Sequence, residues 1–145
     1  MLRRKMKKML STAILSAMTF MMVGSIQVHA NNWKDRPFSF VFNGTQNYTE
    51  AEQKTDTSKL YMKCESITSG TSYTAHAIGY DPATGRNVDC SRGYSYVFNK
   101  PGQSYYMTSW VYENGYRQAK IAASPNYGYS FSASGQWSPD NVRGI

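Results

Sequence analysis

Downstream of residue 30 the chain holds two cysteines, Cys64 and Cys90, and one histidine, His76. These few residues bound the chemistry. A Ser-His-Asp arrangement needs a histidine within reach of a nucleophile and an acid, so any such scheme must run through His76. No nucleophile elbow is present, because Gly93-Tyr94-Ser95-Tyr96-Val97 lacks the second glycine. One histidine and two cysteines that pair with each other leave too few ligands for zinc. Asp81, Asp89 and Glu65 are the candidates for a carboxylate pair of the kind that hydrolyses glycosides. Acids beside a turn are more often solvated turn residues, and Asp81 and Asp89 flank one. The Asp81 turn also lacks the alternating oxygen ligands of a calcium loop. The expectation is a protein with no catalytic residue, no metal and no cofactor. A small hydrolase built on those three acids stands as an alternative.

The aromatic residues are the richer resource. Twelve Tyr and three Trp exceed what one small core needs. Tyr61, Tyr105, Tyr116 and Tyr127 are the candidates for a binding surface. Exposed Tyr and Trp combine an apolar ring with a polar tip, which suits a cell-wall polymer, a glycan or a surface protein. The competing reading is structural: cross-strand Tyr pairs stabilise a sheet.

The compartment follows from the N-terminus, MLRRKMKKMLSTAILSAMTFMMVGSIQVHA. Five cations precede an apolar run that closes on Val28-His29-Ala30. That is the three-part pattern of a cleaved secretory signal peptide covering residues 1–30. Ser11, Thr12, Ser16, Thr19 and Gly24 interrupt the run, which argues against a permanent membrane span. The expectation is an extracellular product of residues 31–145 without a transmembrane segment. Five of the 16 basic residues and none of the 9 acidic ones lie in that leader, so the remainder carries 11 against 9, a net of +2. No basic stripe remains, and nucleic acid is not an expected partner. In an oxidising compartment Cys64 and Cys90 are expected to pair. A bridge closing about 26 residues would stabilise the fold by roughly 3–3.5 kcal/mol. Two buried free thiols are the alternative.

The elements that must carry these residues are strands. Leu60 is the single Leu after the leader, while Tyr, Thr, Phe and Val abound. Phe38, Phe40 and Phe42 alternate on one face. Leu60, Met62 and Cys64 alternate on another, against Tyr61, Lys63 and Glu65. Tyr73, Ala75, Ala77 and Gly79 share a face of the next strand. Asp81-Pro82-Ala83-Thr84-Gly85 is a turn in which Pro82 presets φ and Gly85 takes the left-handed position. Tyr129, Phe131, Ala133, Gly135 and Trp137 give a long period-two run. Residues 31–36, 45–58 and 138–145 lack periodicity; the first and last are expected to fray, the middle one to loop with at most a short edge strand. About seven or eight short strands in 115 residues read as an all-β, single antiparallel β-sandwich or small barrel.

Asn114-Gly115, between two Tyr/Trp/Val/Ile-rich runs, predicts a two-residue hairpin. Its register would oppose Trp110 to Ala119, Thr108 to Ile121 and Tyr106 to Ala123 on the buried face. Met107, Ser109, Val111 and Lys120 would face outward.

Three stretches carry a resemblance: Asp35-Arg36-Pro37-Phe38-Ser39-Phe40, Gly102-Gln103-Ser104-Tyr105-Tyr106, and Ser132-Ala133-Ser134-Gly135-Gln136-Trp137-Ser138-Pro139-Asp140. Together with the leader they resemble a family of small secreted proteins of unknown function from Gram-positive bacteria. That resemblance implies secretion and a closing strand ending on Trp137 and Asp140; it implies no activity and no catalytic residue. More remotely, Thr74 to Asp89, with Thr84-Gly85-Arg86, resembles the hairpin of lactococcin-type bacteriocins, which are small secreted β-sandwich toxins. The expected function is non-catalytic binding at the bacterial cell surface or wall, with a bacteriocin-like antibacterial role as the alternative.

Overall fold

The alternating residues do form strands. A computed structural model describes residues 31–145; the expected leader lies outside the described residues. Ten strands follow in order: β1 (Arg36–Phe42), β2 (Asn47–Tyr48), β3 (Glu52–Gln53), β4 (Leu60–Ile67), β5 (Tyr73–Asp81), β6 (Arg86–Asp89), β7 (Tyr96–Phe98), β8 (Ser104–Met107), β9 (Gln118–Pro125) and β10 (Phe131–Ser138). One sheet runs β1-β10-β4-β8 and the other β2-β9-β5-β6. Every pairing is antiparallel. β3 follows β2 along the outer edge of β9, and β7 shares with β6 the far edge of β5. The two sheets pack face to face as a β-sandwich, and Asn31–Ile145 form one compact unit. The count exceeds the expected seven or eight because 45–58 supplies two two-residue strands. Among the described residues no helix is long and apolar enough to cross a membrane.

The core is aromatic because the chain has little Leu with which to build it. Phe38, Phe40 and Phe42 of β1 point inward, as do Leu60, Met62 and Cys64 of β4 and Phe131, Ala133 and Trp137 of β10. Tyr73, Ala75 and Ala77 of β5 and Ala119, Ile121 and Ala123 of β9 answer from the other sheet. Their small side chains leave room for rings. Tyr73 stacks on Phe98 at 5.1 Å between centroids and meets Phe40 edge-on at 6.1 Å. Two glycines permit close approach. A Cβ on Gly135 would fall 1.9 Å from the Lys63 carbonyl oxygen, where β10 shifts register against β4. The turn after β5 closes as expected: Gly85 has φ +71° and its N–H donates to the Asp81 carbonyl at 2.8 Å.

The Asn114-Gly115 hairpin does not form. β8 pairs with β4 in one sheet and β9 with β5 in the other, so residues 108–117 cross the sandwich. A type I′ turn needs positive φ at both central residues, and of these two only Gly115 has it, at +87°. The chain takes a helical turn instead: Asn114 N–H donates to the Trp110 carbonyl at 2.9 Å, and Tyr116 N–H to that of Val111 at 3.0 Å. The faces of the first arm are reversed accordingly. Met107, Ser109 and Val111 are buried, while Trp110 is half-buried beneath the Arg92 guanidinium, 3.6 Å from its ring centroid. The second arm keeps its expected faces, with Lys120 turned outward onto the Tyr80 ring at 4.0 Å.

Cys64 and Cys90 are not bridged; both are free and buried. Cys64 lies beside Tyr73 at one end of β5. Cys90 lies against Gly79, where a Cβ would fall 2.9 Å from its Sγ. Those β5 positions are six residues apart, about 20 Å along an extended strand. A bridge needs sulfurs about 2 Å apart, and the two thiols rest against opposite ends of that strand. The tail is not frayed either: Ser138, Asp140 and Asn141 are buried.

Candidate aromatic groove

A pair of outward-facing tyrosines begins the site. Tyr61 alternates with buried Leu60 and Met62 on β4, and Tyr106 precedes buried Met107 on β8. The register sets them directly opposite each other, with ring centroids 5.3 Å apart and planes 44° apart. On the other side of Tyr61, β10 ends at Ser138. Beyond it the tail returns across this end of the sheet: Asn141 Nδ2 donates to the Lys59 and Ile145 carbonyls, each at 2.9 Å. Trp33 and Asp35, just before β1, complete an open groove of about 240 Å3 lined by Trp33, Asp35, Tyr61, Tyr106, Asn141 and Val142, with Ser138 at its floor.

What holds the two lips is a buried ion pair. Lys54 Nζ donates to Asp140 Oδ1 at 2.7 Å, and neither side chain reaches solvent. Asp140 Oδ2 accepts from Thr55 N, Thr55 Oγ1 and Asn32 N. Asn32 precedes Trp33, and Asn141 follows Asp140, so one carboxylate fixes both lips. Burial alone would raise the Asp140 carboxyl. The Lys54 and Thr55 hydrogen bonds, the Lys54 charge and the Asn32 amide outweigh it and hold the group below its ordinary value. Arg36 braces the same entry strand, pairing with Glu52 at 2.9 Å and donating to Asn32 Oδ1 at 2.7 Å.

The four expected binding tyrosines are not brought together. Tyr61 is in the groove. Tyr127 is exposed and stacks on Tyr129 at 5.2 Å, on the loop before β10. That loop lies at the opposite end of β10 from Ser138, about 23 Å away along the strand. Tyr105 and Tyr116 are half-buried rather than free. Tyr105 packs edge-on against Phe98 at 5.1 Å, and its hydroxyl accepts from Gln103 Nε2 at 3.0 Å. Tyr116 lies on Gly79, where a Cβ would fall 2.7 Å from its Cδ2. Trp33, Tyr94 and Tyr129, exposed by 49%, 59% and 56%, were not among the expected set.

The candidate acids are dispersed as well. Asp81 accepts from Ala83 N and Thr84 Oγ1 within its turn. Asp89 accepts from Ser91 N and Oγ and faces His76 Nε2 at 4.0 Å. Partial burial acts to raise the Asp89 carboxyl, but the Ser91 hydrogen bonds and the nearby His76 hold it below its ordinary value. Glu65 stands in the other sheet, on β4. Among the described residues no three His, Cys, Asp or Glu side chains cluster to hold a metal.

Residues 26–141 match the family described as "Protein of unknown function (DUF2712)". No curated protein and no solved structure matches the chain.

Proposed function

We propose that this chain, which belongs to the DUF2712 family, is a secreted, non-catalytic protein of Gram-positive bacteria that binds a cell-surface polymer through the groove of Trp33, Tyr61 and Tyr106. The observation that carries the reading is that groove: three aromatic rings and a carboxylate at one mouth, on lips anchored by a fully buried ion pair. Preorganised rings beside a few polar groups are how concave sites take polar ligands with apolar faces. Strands on a packed core hold Tyr61 and Tyr106 in place before any ligand arrives, so little ordering cost falls on binding.

The test is sedimentation of residues 31–145 with purified Gram-positive wall sacculi, intact and stripped of secondary polymers. Saturable binding to intact walls is expected. Its loss on stripping would identify the secondary polymer as the partner, and its retention the glycan. No saturable binding to either would refute the proposal.

A second reading, an antibacterial protein of bacteriocin type, draws on the β5–β6 hairpin with its Gly85 turn, the segment that carries the resemblance. Growth inhibition of a related strain by micromolar protein would support it, and no inhibition across a panel of relatives would remove it.

A further inference from the structure

We infer that the groove recognises an organic cation, an alkylated ammonium group carried by the surface polymer. The inference rests on the groove being the binding site, and it names what the site reads.

Three observations converge on it. First, the Ser138 hydroxyl and the Asn141 amide of the groove are already committed. Ser138 Oγ donates to the Asp140 carbonyl. The Asn141 amide donates to Lys59 and Ile145, and its Oδ1 accepts from Arg143 N and Ile145 N. Asp35 is the carboxylate among the lining residues: it is exposed and has no ion pair or hydrogen-bond partner among the described residues. Its neighbour Arg36 is turned to Glu52, Asn32 and the Lys34 carbonyl instead. Asp35 therefore offers the groove a carboxylate that no cation of the described residues pairs with directly.

Second, the Tyr61 and Tyr106 rings are tilted by 44°. They form the walls of a corner rather than one flat platform, and a corner fits a compact, rounded head better than the flat face of a sugar. Trp33 adds a third ring and Val142 an aliphatic contact. Several rings with a carboxylate close by are the chemistry that holds quaternary ammonium groups, since ring faces attract a cation that cannot donate many hydrogen bonds.

Third, the chain already sets a cation on one of these rings. The Arg143 guanidinium, on the exposed tail, lies 5.4 Å from the Tyr106 centroid. That ring thus already holds a cation, and Arg143 stands to compete with a ligand for it.

The experiment is a titration of residues 31–145 with choline, read by the NMR signal of the Trp33 indole, which a Trp33→Phe variant assigns. Sodium chloride at equal ionic strength and the neutral isostere 3,3-dimethylbutan-1-ol are the controls. A saturable shift in the millimolar range is expected with choline. The isostere and the Asp35→Asn variant should each bind roughly two- to five-fold more weakly, and Arg143→Ala should bind tighter by a similar factor, the scale of one exposed cation–π contact. No saturable shift, or equal affinity for choline and its isostere, would overturn the inference. Wall sedimentation retained without choline binding would refute the cation while leaving surface binding in place. Choline binding without wall sedimentation would support the cation and remove the wall as its source.

Discussion

Lys54 Nζ and Asp140 Oδ1 lie 2.7 Å apart with both side chains wholly out of water, joining positions 86 residues apart in the chain. Breaking such a pair from one side leaves a charge buried without a partner, at about 3–5 kcal/mol. Lys54→Met and Asp140→Leu should each lower the unfolding free energy measured in urea by that scale. The double variant should cost less than the sum of the two. Strict additivity in urea denaturation would contradict the pairing.

Acid should unlatch the groove. The Asp140 carboxyl is held below its ordinary value near 3.8, so its contribution is full above that pH and is lost as pH falls towards the depressed folded value. Asp89, also lowered, acts in the same direction. Tm should be flat from pH 7 to about 5 and fall steeply below about 4. Asp140→Asn should blunt that fall. A Tm that rises on acidification would contradict the assignment.

Cys64 and Cys90 should be slow thiols. Burial pushes both above the ordinary thiol value, although Tyr73 beside Cys64 and Asn114 beside Cys90 oppose the shift. Alkylation at pH 8 without reductant should be slow in the native protein and reach two groups per chain in denaturant, as read by intact mass. Failure to label in denaturant would mean a bridge.

Glycine substitutions should separate rigid from yielding neighbours. Gly135→Ala would force a methyl against the Lys63 backbone, which no rotamer change relieves. A loss of at least ~3 kcal/mol or failure to fold is expected. Gly79→Ala meets the Tyr116 ring and the Cys90 sulfur, of which the ring can swing outward, so its cost should be smaller, about 1–2 kcal/mol. Chemical denaturation of both variants checks the order; equal costs would contradict it.

The sandwich was legible wherever one strand buries one face. Phe38/Phe40/Phe42, Leu60/Met62/Cys64 and Phe131/Ala133/Trp137 alternate cleanly because water stands on their other side. Partner choice was not legible. Asn114-Gly115 has the composition of a hairpin turn, but burial of Met107, Ser109 and Val111 beneath the opposite sheet outweighs the local preference. The groove was half legible. Tyr61 follows from its alternation with Leu60 and Met62. Trp33, Asp35 and Asn141 lie in stretches without periodicity, and their order comes from one carboxylate meeting a lysine in the polar run before β4. No local pattern encodes a contact across that separation.

The central claim is that the groove, rather than the Tyr127–Tyr129 pair at the far end of β10, is the binding surface. The most direct measurement compares wall sedimentation of three proteins over residues 31–145: the unaltered sequence, Trp33→Ala with Tyr106→Ala, and Tyr127→Ala with Tyr129→Ala. Circular dichroism of all three proteins checks that each is folded. The account predicts that the first double variant loses saturable binding and the second keeps it. Retention by the first and loss by the second would contradict it.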